Sequence, residues 1–116
     1  MTPQVAVVIP TCRAVTFPEQ SIPVKLYVVH DVEGHPVEAP SSVEVEHIIA
    51  PDPTMWGARC SCIRSAGFMA AYRDGATHIL TIDDDCLPTI TWAEEHVNAL
   101  DSTIHPWNRT VESSPL

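Results

Sequence analysis

The sequence predicts an α/β fold with a mostly parallel sheet flanked by helices. Short apolar runs alternate with stretches of helical period, and polar residues follow directly on the ends of several runs. With 116 residues the chain has room for one core, and its composition indicates no second one. We therefore expect one domain over residues 1–101. Residues 102–116 are expected to form an irregular tail, because Pro106 and Pro115 interrupt any regular period there.

Three strands and a short helix are expected in the first half of the chain. The strands are predicted at residues 5–9, 24–29 and 43–49. The first two are almost wholly apolar, as in strands buried on both faces, whereas the third alternates apolar with polar residues and is expected at a sheet edge. A short helix is expected at residues 17–20, because Pro18 suits the first turn of a helix.

Two longer helices are expected in the second half. The apolar period predicts a helix over residues 56–74, with Gly75 at the C′ position, and Gly67 on its apolar face indicates a close approach to the sheet. A second helix is expected from Thr91, which would be the N-cap, with Glu94 completing a capping box.

Between these helices, residues 79–82 form an apolar run that predicts a fourth strand, buried on both faces and followed at once by Asp83, Asp84 and Asp85. Adjacent ionised carboxylates repel one another and resist desolvation, so they need a cation or hydrogen-bond donors nearby. On a strand Asp83 and Asp85 would face one side, where they can converge on Mg²⁺ or Mn²⁺. An acidic turn that is merely solvated is the alternative.

Polar residues from three segments are expected to meet at the carboxyl edge of the sheet, where ligands bind in such folds. They are Thr11 and Arg13, then Asp31, and then the three aspartates. Arg64, on the first long helix, lies beside the buried seam and needs an anionic partner. That partner is either a structural aspartate or a ligand phosphate.

Composition excludes some classes of function. A net charge of −9 argues against nucleic-acid binding through a basic face. No apolar stretch is long enough to span a membrane and no signal-peptide pattern is present, so we expect a soluble, cytoplasmic protein. The four cysteines are interpreted as reduced, buried thiols, and the six histidines show no metal-ligand spacing.

Five short motifs follow one another along nearly the whole chain. They are Val8-Ile9-Pro10-Thr11-x-Arg13, Val28-Val29-His30-Asp31, Arg64-x-x-Gly67-Phe68-Met69, Thr81-Ile82-Asp83-Asp84-Asp85-Cys86-x-Pro88 and His96-Val97-Asn98. In this order they resemble the reversibly glycosylated polypeptides, a family that includes the UDP-arabinopyranose mutases. More broadly, the sequence resembles nucleotide-diphospho-sugar transferases of the GT-A type. The fourth motif is the most specific of the five.

The resemblance implies a GT-A-like, Rossmann-like fold that binds a nucleotide sugar, with UDP-sugars the first expectation. Thr11 and Arg13 would line the nucleotide pocket, and Asp31 would contact the uracil. The three aspartates would hold the ribose and a Mn²⁺ or Mg²⁺ ion bridging the diphosphate, with Asp83 and Asp85 on the metal and Asp84 on the nucleotide. Arg64 matches the arginine at which these proteins become self-glycosylated, which makes it the candidate catalytic residue.

The family's chains continue well beyond Leu116, so the resemblance implies a chain truncated relative to the full fold, without the half that holds the acceptor. Two classes of function stay open: metal-dependent binding of a nucleotide sugar for glycosyl transfer or sugar-ring mutase chemistry, and a non-catalytic binding or regulatory module derived from the same fold. Phosphoryl transfer through an aspartate is disfavoured, because Leu87 stands where such sites usually carry threonine. Apolar surface left by a missing half would favour a homo-oligomer, as a hypothesis.

Overall fold

The computed structural model describes residues 4–30, 34–49 and 61–107. These ranges contain six strands and two helices. In chain order they are β1 (Val5–Thr11), β2 (Val15–Thr16), β3 (Lys25–His30), β4 (Val37–Glu38), β5 (Glu44–Ile49), α1 (Ser61–Arg73), β6 (His78–Thr81) and α2 (Trp92–Trp107). The predicted α/β class is confirmed.

Four of the strands form one parallel sheet in the order β5-β3-β1-β6. Val8, in the middle of β1, lies opposite Tyr27 on one side and Thr81 on the other. The chain steps outward from β1 to β3 and β5, then returns through α1 to add β6 on the far side of β1. The strand order therefore reverses between β1 and β6, and the carboxyl ends of these two strands form the switch point at which open α/β sheets bind ligands.

Helix α1 covers one face of the sheet. The core on this face comprises Ala6, Val8, Tyr27 and Val29 from the sheet and Ile63, Ala70 and Ala71 from the helix. The close approach predicted at Gly67 is confirmed: a Cβ atom there would overlap the side chain of Val8 and lie 2.9 Å from Cγ2 of Val29. Gly75 ends the helix with a φ of 86°, which fits the predicted C′ position. Of the expected helix, residues 56–60 lie outside the described residues.

The opposite face of the sheet is covered by α2 and by the short β2–β4 pair. Alternate residues of the same strands point to this side, including Val7, Ile9, Leu26 and Val28, and they pack with Ala93 and Val97 of α2. The sheet is therefore buried between two layers, which explains why β1 and β3 are nearly continuous apolar runs. The third predicted strand, β5, is confirmed at an edge.

The short helix predicted at residues 17–20 is wrong. The Phe17 N–H donates to the Glu38 carbonyl at 2.8 Å, so this residue prolongs the β2–β4 pairing instead of starting a helix. The Gln20 side chain then reaches the start of α2, where it donates to the Thr89 carbonyl and accepts from the Ala93 N–H, both at 2.9 Å. Burial of Phe17 and this contact outweigh the weak preference of a four-residue helix.

Two further expectations differ from the structure. Strand β6 is an edge strand of the described sheet, with Leu80 buried but Thr81 exposed, so burial on both faces is wrong. At the start of α2, Thr91 donates to the Glu95 carboxylate at 2.6 Å, while Glu94 accepts from Ser21 instead of closing a capping box.

Helix α2 also continues to Trp107, beyond the point at which irregular chain was expected, and residues 108–116 lie outside the described residues. Neither α1 nor α2, the helices of the described part, is long and apolar enough to cross a membrane.

Candidate functional site

The candidate site lies at the carboxyl ends of β1 and β6. Thr11 is the last residue of β1, and Arg13 follows in the turn after it. On the neighbouring strand, the N–H of Ile82 still donates to the Val8 carbonyl at 3.2 Å. Pairing with β1 therefore reaches the residue before Asp83, and the acidic cluster begins where the ladder ends.

Asp84 joins the two strand ends. Its Oδ2 accepts from the Thr11 hydroxyl at 3.0 Å and lies 3.2 Å from Nε of Arg13. The Thr11 hydroxyl also accepts the Arg13 backbone N–H at 3.0 Å, which fixes the turn after β1. Only 13% of the Asp84 side chain is exposed, so these donors satisfy a carboxylate that is largely removed from water.

Arg64 brings α1 to the same edge. Its Nη2 lies 3.1 Å from Oδ1 of Asp83, and its Nη1 donates to the Thr81 hydroxyl at 2.8 Å. The Thr81 hydroxyl in turn donates to the Val8 carbonyl at 2.9 Å, so it orients the guanidinium from within the sheet. In this structure the partner of Arg64 is thus a structural aspartate, although about a third of the arginine side chain stays exposed to a ligand.

Asp83, Asp85 and Cys86 form an exposed group of donors. The Cys86 N–H donates to the Asp83 carbonyl at 3.2 Å, which folds these residues into a turn. One carboxylate oxygen from each aspartate and the Cys86 Sγ all lie within 4.8 Å of one another. The expected convergence of Asp83 and Asp85 is therefore produced by a turn and not by strand alternation. Two carboxylate oxygens at this spacing suit a hard divalent cation.

The Cys86 thiol differs from the two carboxylates in its chemistry. Loss of hydration raises its pKa, and the neighbouring Asp85 raises it further. The thiol is therefore protonated at neutral pH and is a weak nucleophile and a weak metal ligand. The buried cysteine interpretation is wrong for this residue, which is exposed, and for Cys12, which is half-buried.

Arginine side chains of the protein compensate much of the repulsion among the three adjacent aspartates. Arg13 compensates Asp84 and Arg64 compensates Asp83. Contact with Cys12 and the charge of Asp84 both raise the pKa of Arg13, so its guanidinium stays charged. Asp85 has no ion pair with any residue in the described ranges; it accepts from the Cys86 thiol at 3.7 Å, and its charge contributes to the raised pKa of Arg13.

The structure brings together most of the residues that the sequence singled out. Thr11, Arg13, Arg64 and the three aspartates meet at one edge, whereas Asp31 lies outside the described residues. Sequence reasoning missed the role of Thr81. A signal was available, because Thr81 lies two residues before Asp83 and so on the same side of an extended chain.

Comparisons of the chain with protein-family models, with curated proteins and with solved structures gave no significant match.

Proposed function

We propose that this chain binds a nucleotide sugar, in the first instance a UDP-sugar, together with Mn²⁺ or Mg²⁺, for glycosyl transfer or sugar-ring mutase chemistry. One observation carries the proposal: two arginines, a buried threonine and three aspartates from separate elements meet at the switch point between β1 and β6. Ligands of open α/β sheets bind at this place. The motif resemblance supplies the class of ligand.

The arginines are the groups that suit a diphosphate. Arg13 is more than half exposed and Arg64 about one third exposed, so both can donate to phosphate oxygens while they remain near their aspartates. An acidic protein needs such local positive charge before it can hold an anion. By resemblance, Thr11 and Asp84 would serve the nucleotide, Asp31 the uracil, and Arg64 would be the self-glycosylated residue.

Asp83 and Asp85 are the residues that would hold the metal ion. Their oxygens lie close enough to share one cation, and Asp85 has no competing ion pair among the described residues. The bound ion would supply positive charge that stabilises the diphosphate as a leaving group.

Calorimetric titration with UDP, in the presence and absence of Mn²⁺, tests the proposal. We expect binding that requires Mn²⁺ and that weakens at least about tenfold in Asp85→Ala, because one of two carboxylate ligands is lost. Glu19→Ala is the matched control, since it removes an exposed carboxylate from a loop and should bind as the wild type does. Absence of binding above background, or equal binding by Asp85→Ala, would contradict the proposal.

A non-catalytic binding or regulatory module is the second candidate, and one observation favours it. Asp83 and Asp84 are already paired with arginines, so two of the three aspartates are compensated without any metal. This alternative predicts UDP binding that is independent of Mn²⁺, or none. Incubation with radiolabelled UDP-sugars separates the two candidates, because hydrolysis, isomerisation or self-labelling would exclude the inert module.

A further inference from the structure

The outer edge of β6, on the side away from β1, pairs with no strand of the described sheet. The N–H groups of His78 and Ile82 both donate to carbonyls on the β1 side, each at 3.2 Å. Because the backbone groups of successive residues alternate between the two sides of a strand, those of Ile79 and Thr81 point to the outer edge. Each of these two residues therefore offers an N–H donor and a carbonyl acceptor to a further strand.

The two edge strands of the described sheet differ in charge. At the other edge, β5 carries Glu44 and Glu46, and charged side chains of this kind discourage pairing with another chain. Strand β6 has the sequence His-Ile-Leu-Thr and contains no carboxylate. An uncharged edge strand with outward backbone groups is a template for pairing, so β6 is the edge at which a further strand fits.

We propose that a second copy of this chain pairs with β6, so that two four-stranded sheets join into one. A twofold axis perpendicular to the sheet makes the two β6 strands antiparallel and keeps the α1 helices of both copies on one side. The same surface is then used by both copies, which closes the assembly as a dimer. The proposal does not depend on nucleotide-sugar binding.

One register uses every outward backbone group of β6. With Leu80 of both copies on the axis, Ile79 lies opposite Thr81 of the second copy, and Thr81 lies opposite the second copy's Ile79. Each of these pairs exchanges two hydrogen bonds, so the two pairs make four. Ile79 packs in the core under α1 and Thr81 contacts Arg64 of α1, so both lie on one face, as residues opposed in an antiparallel pair must.

The neighbouring registers that keep opposed residues on one face use fewer of these groups. A shift in one direction opposes Thr81 to Thr77, whose N–H is already bonded within the chain. A shift in the other direction opposes Ile79 to Asp83, whose carbonyl is already bonded within the acidic turn. Backbone bonding therefore selects the register with Leu80 on the axis.

The antiparallel arrangement also separates the acidic sites of the two copies. Asp83 comes three positions after Leu80, so the two Asp83 residues would be separated by roughly 20 Å along the strands. The Debye length is about 8 Å at physiological salt, so their repulsion is largely screened. A parallel pairing would instead bring the two clusters side by side. The net charge of −9 on each copy still opposes association at low salt.

Sedimentation equilibrium over a range of protein concentrations tests the proposal. At about 0.15 M salt we expect a dimer with a dissociation constant below about 1 mM. Ile79→Pro removes an outward N–H from each copy, and with it two of the four bonds between copies, without removing a donor to β1. The dissociation constant should rise at least about tenfold.

Ile79→Val is the matched control, because valine is close to proline in size and keeps the N–H. Its dissociation constant should stay within about threefold of the wild-type value. Monomer mass alone up to about 1 mM would overturn the proposal. A dimer that both variants weaken equally would also overturn it, because the outward N–H would then contribute nothing.

Hydrogen exchange of the wild type gives a second readout that does not depend on how well a variant folds. The amides of Ile79 and Thr81 should become about tenfold more protected as the dimer forms, since they gain acceptors only in the dimer. The amides of His78 and Ile82 are bonded within the chain and should change by less than about threefold. A dimer in which the Ile79 and Thr81 amides exchange as fast as in the monomer uses another surface and would overturn the proposal.

Discussion

Nε of Arg13 lies 3.2 Å from Oδ2 of Asp84, which ties the turn after β1 to the acidic turn after β6 across 71 positions of sequence. Thr11 donates to the same carboxylate oxygen at 3.0 Å. Asp84 is thus a structural bridge between the two strands that border the switch point, while its neighbour Asp85 is exposed and outside this bridge.

This difference predicts that two conservative substitutions change the free energy of unfolding by different amounts. Asp84→Asn removes the charge that holds Arg13 and should lower the free energy of unfolding by about 1–2 kcal/mol, a modest value because more than half of Arg13 is exposed. Asp85→Asn should change it by less than about 0.5 kcal/mol, because this side chain has no ion pair in the described site. Urea denaturation of both variants measures the difference. Equal losses of stability in the two variants would contradict the role of Asp84 as a structural bridge.

The close contact between α1 and the sheet predicts the effect of adding one methyl group. In Gly67→Ala the new Cβ would overlap Val8 and press on Val29, both buried β-branched residues that cannot move aside easily. We expect a loss of about 1–3 kcal/mol in the free energy of unfolding, although alanine favours helix more than glycine does. Gly34→Ala, where no atom of another described part of the chain lies within 4 Å of the added Cβ, should be neutral or slightly stabilising.

Thermal unfolding of the two glycine variants gives the comparison. A Gly67→Ala protein as stable as Gly34→Ala would show that α1 can shift away from the sheet at little cost.

The Gln20 side chain predicts a stability effect at a position that the sequence assigned to a helix. It is 8% exposed and bonds the Thr89 carbonyl and the Ala93 N–H. Gln20→Ala leaves both groups without this partner and should cost about 1–3 kcal/mol. Ser21→Ala, which removes only an exposed hydroxyl contact with Glu94, should cost less than about 0.5 kcal/mol. Guanidinium denaturation of the two variants should separate them clearly, and similar midpoints would contradict the capping role.

A charged network at the end of the sheet opposite the candidate site predicts that the stability of the protein depends on pH. Hydrogen bonds from Arg73 and Tyr27, at 3.0 and 2.8 Å, hold the pKa of Asp74 well below its usual range, and Lys25 adds to this effect. A carboxyl whose pKa is lowered by folding stabilises the protein above its unfolded pKa of about 3.9. That contribution is lost as the pH falls further.

Unfolding temperatures measured from pH 7 to about pH 3 test whether stability is lost as the pH falls. The wild type should lose stability steeply below about pH 4, and Asp74→Asn should show a shallower loss because it has no charge to neutralise. Glu19→Gln, which changes an exposed loop carboxylate, should follow the wild-type curve. If Asp74→Asn keeps the wild-type slope, the network does not stabilise the folded state in the way the contacts indicate.

The local sequence pattern was enough to predict a strand or a helix end wherever the segment's own residues determine its conformation. The runs that became β1 and β3 are apolar on both faces because two layers cover them, and Gly75 marks the end of α1 because its φ is positive. The local pattern gave a wrong prediction where contacts with residues distant in sequence determine the conformation. Residues 17–20 were expected to form a helix, but Phe17 pairs with β4 and Gln20 caps α2, a contact that spans 73 positions.

The candidate site was likewise predictable from the sequence in one respect and not in another. Its place followed from the sequence, because parallel strands bring their carboxyl ends to one edge and polar residues there stand out against apolar runs. The pairing of its charges came only from the tertiary structure: Arg13 with Asp84, Arg64 with Asp83, and Asp85 without an ion pair among the described residues. Hydrogen bonds require distances near 3 Å and defined angles, which residue types and spacing along a chain do not specify. The sequence alone thus determined the fold class and the edge at which function is expected, whereas the folded chain decided which carboxylates pair with an arginine and which one does not.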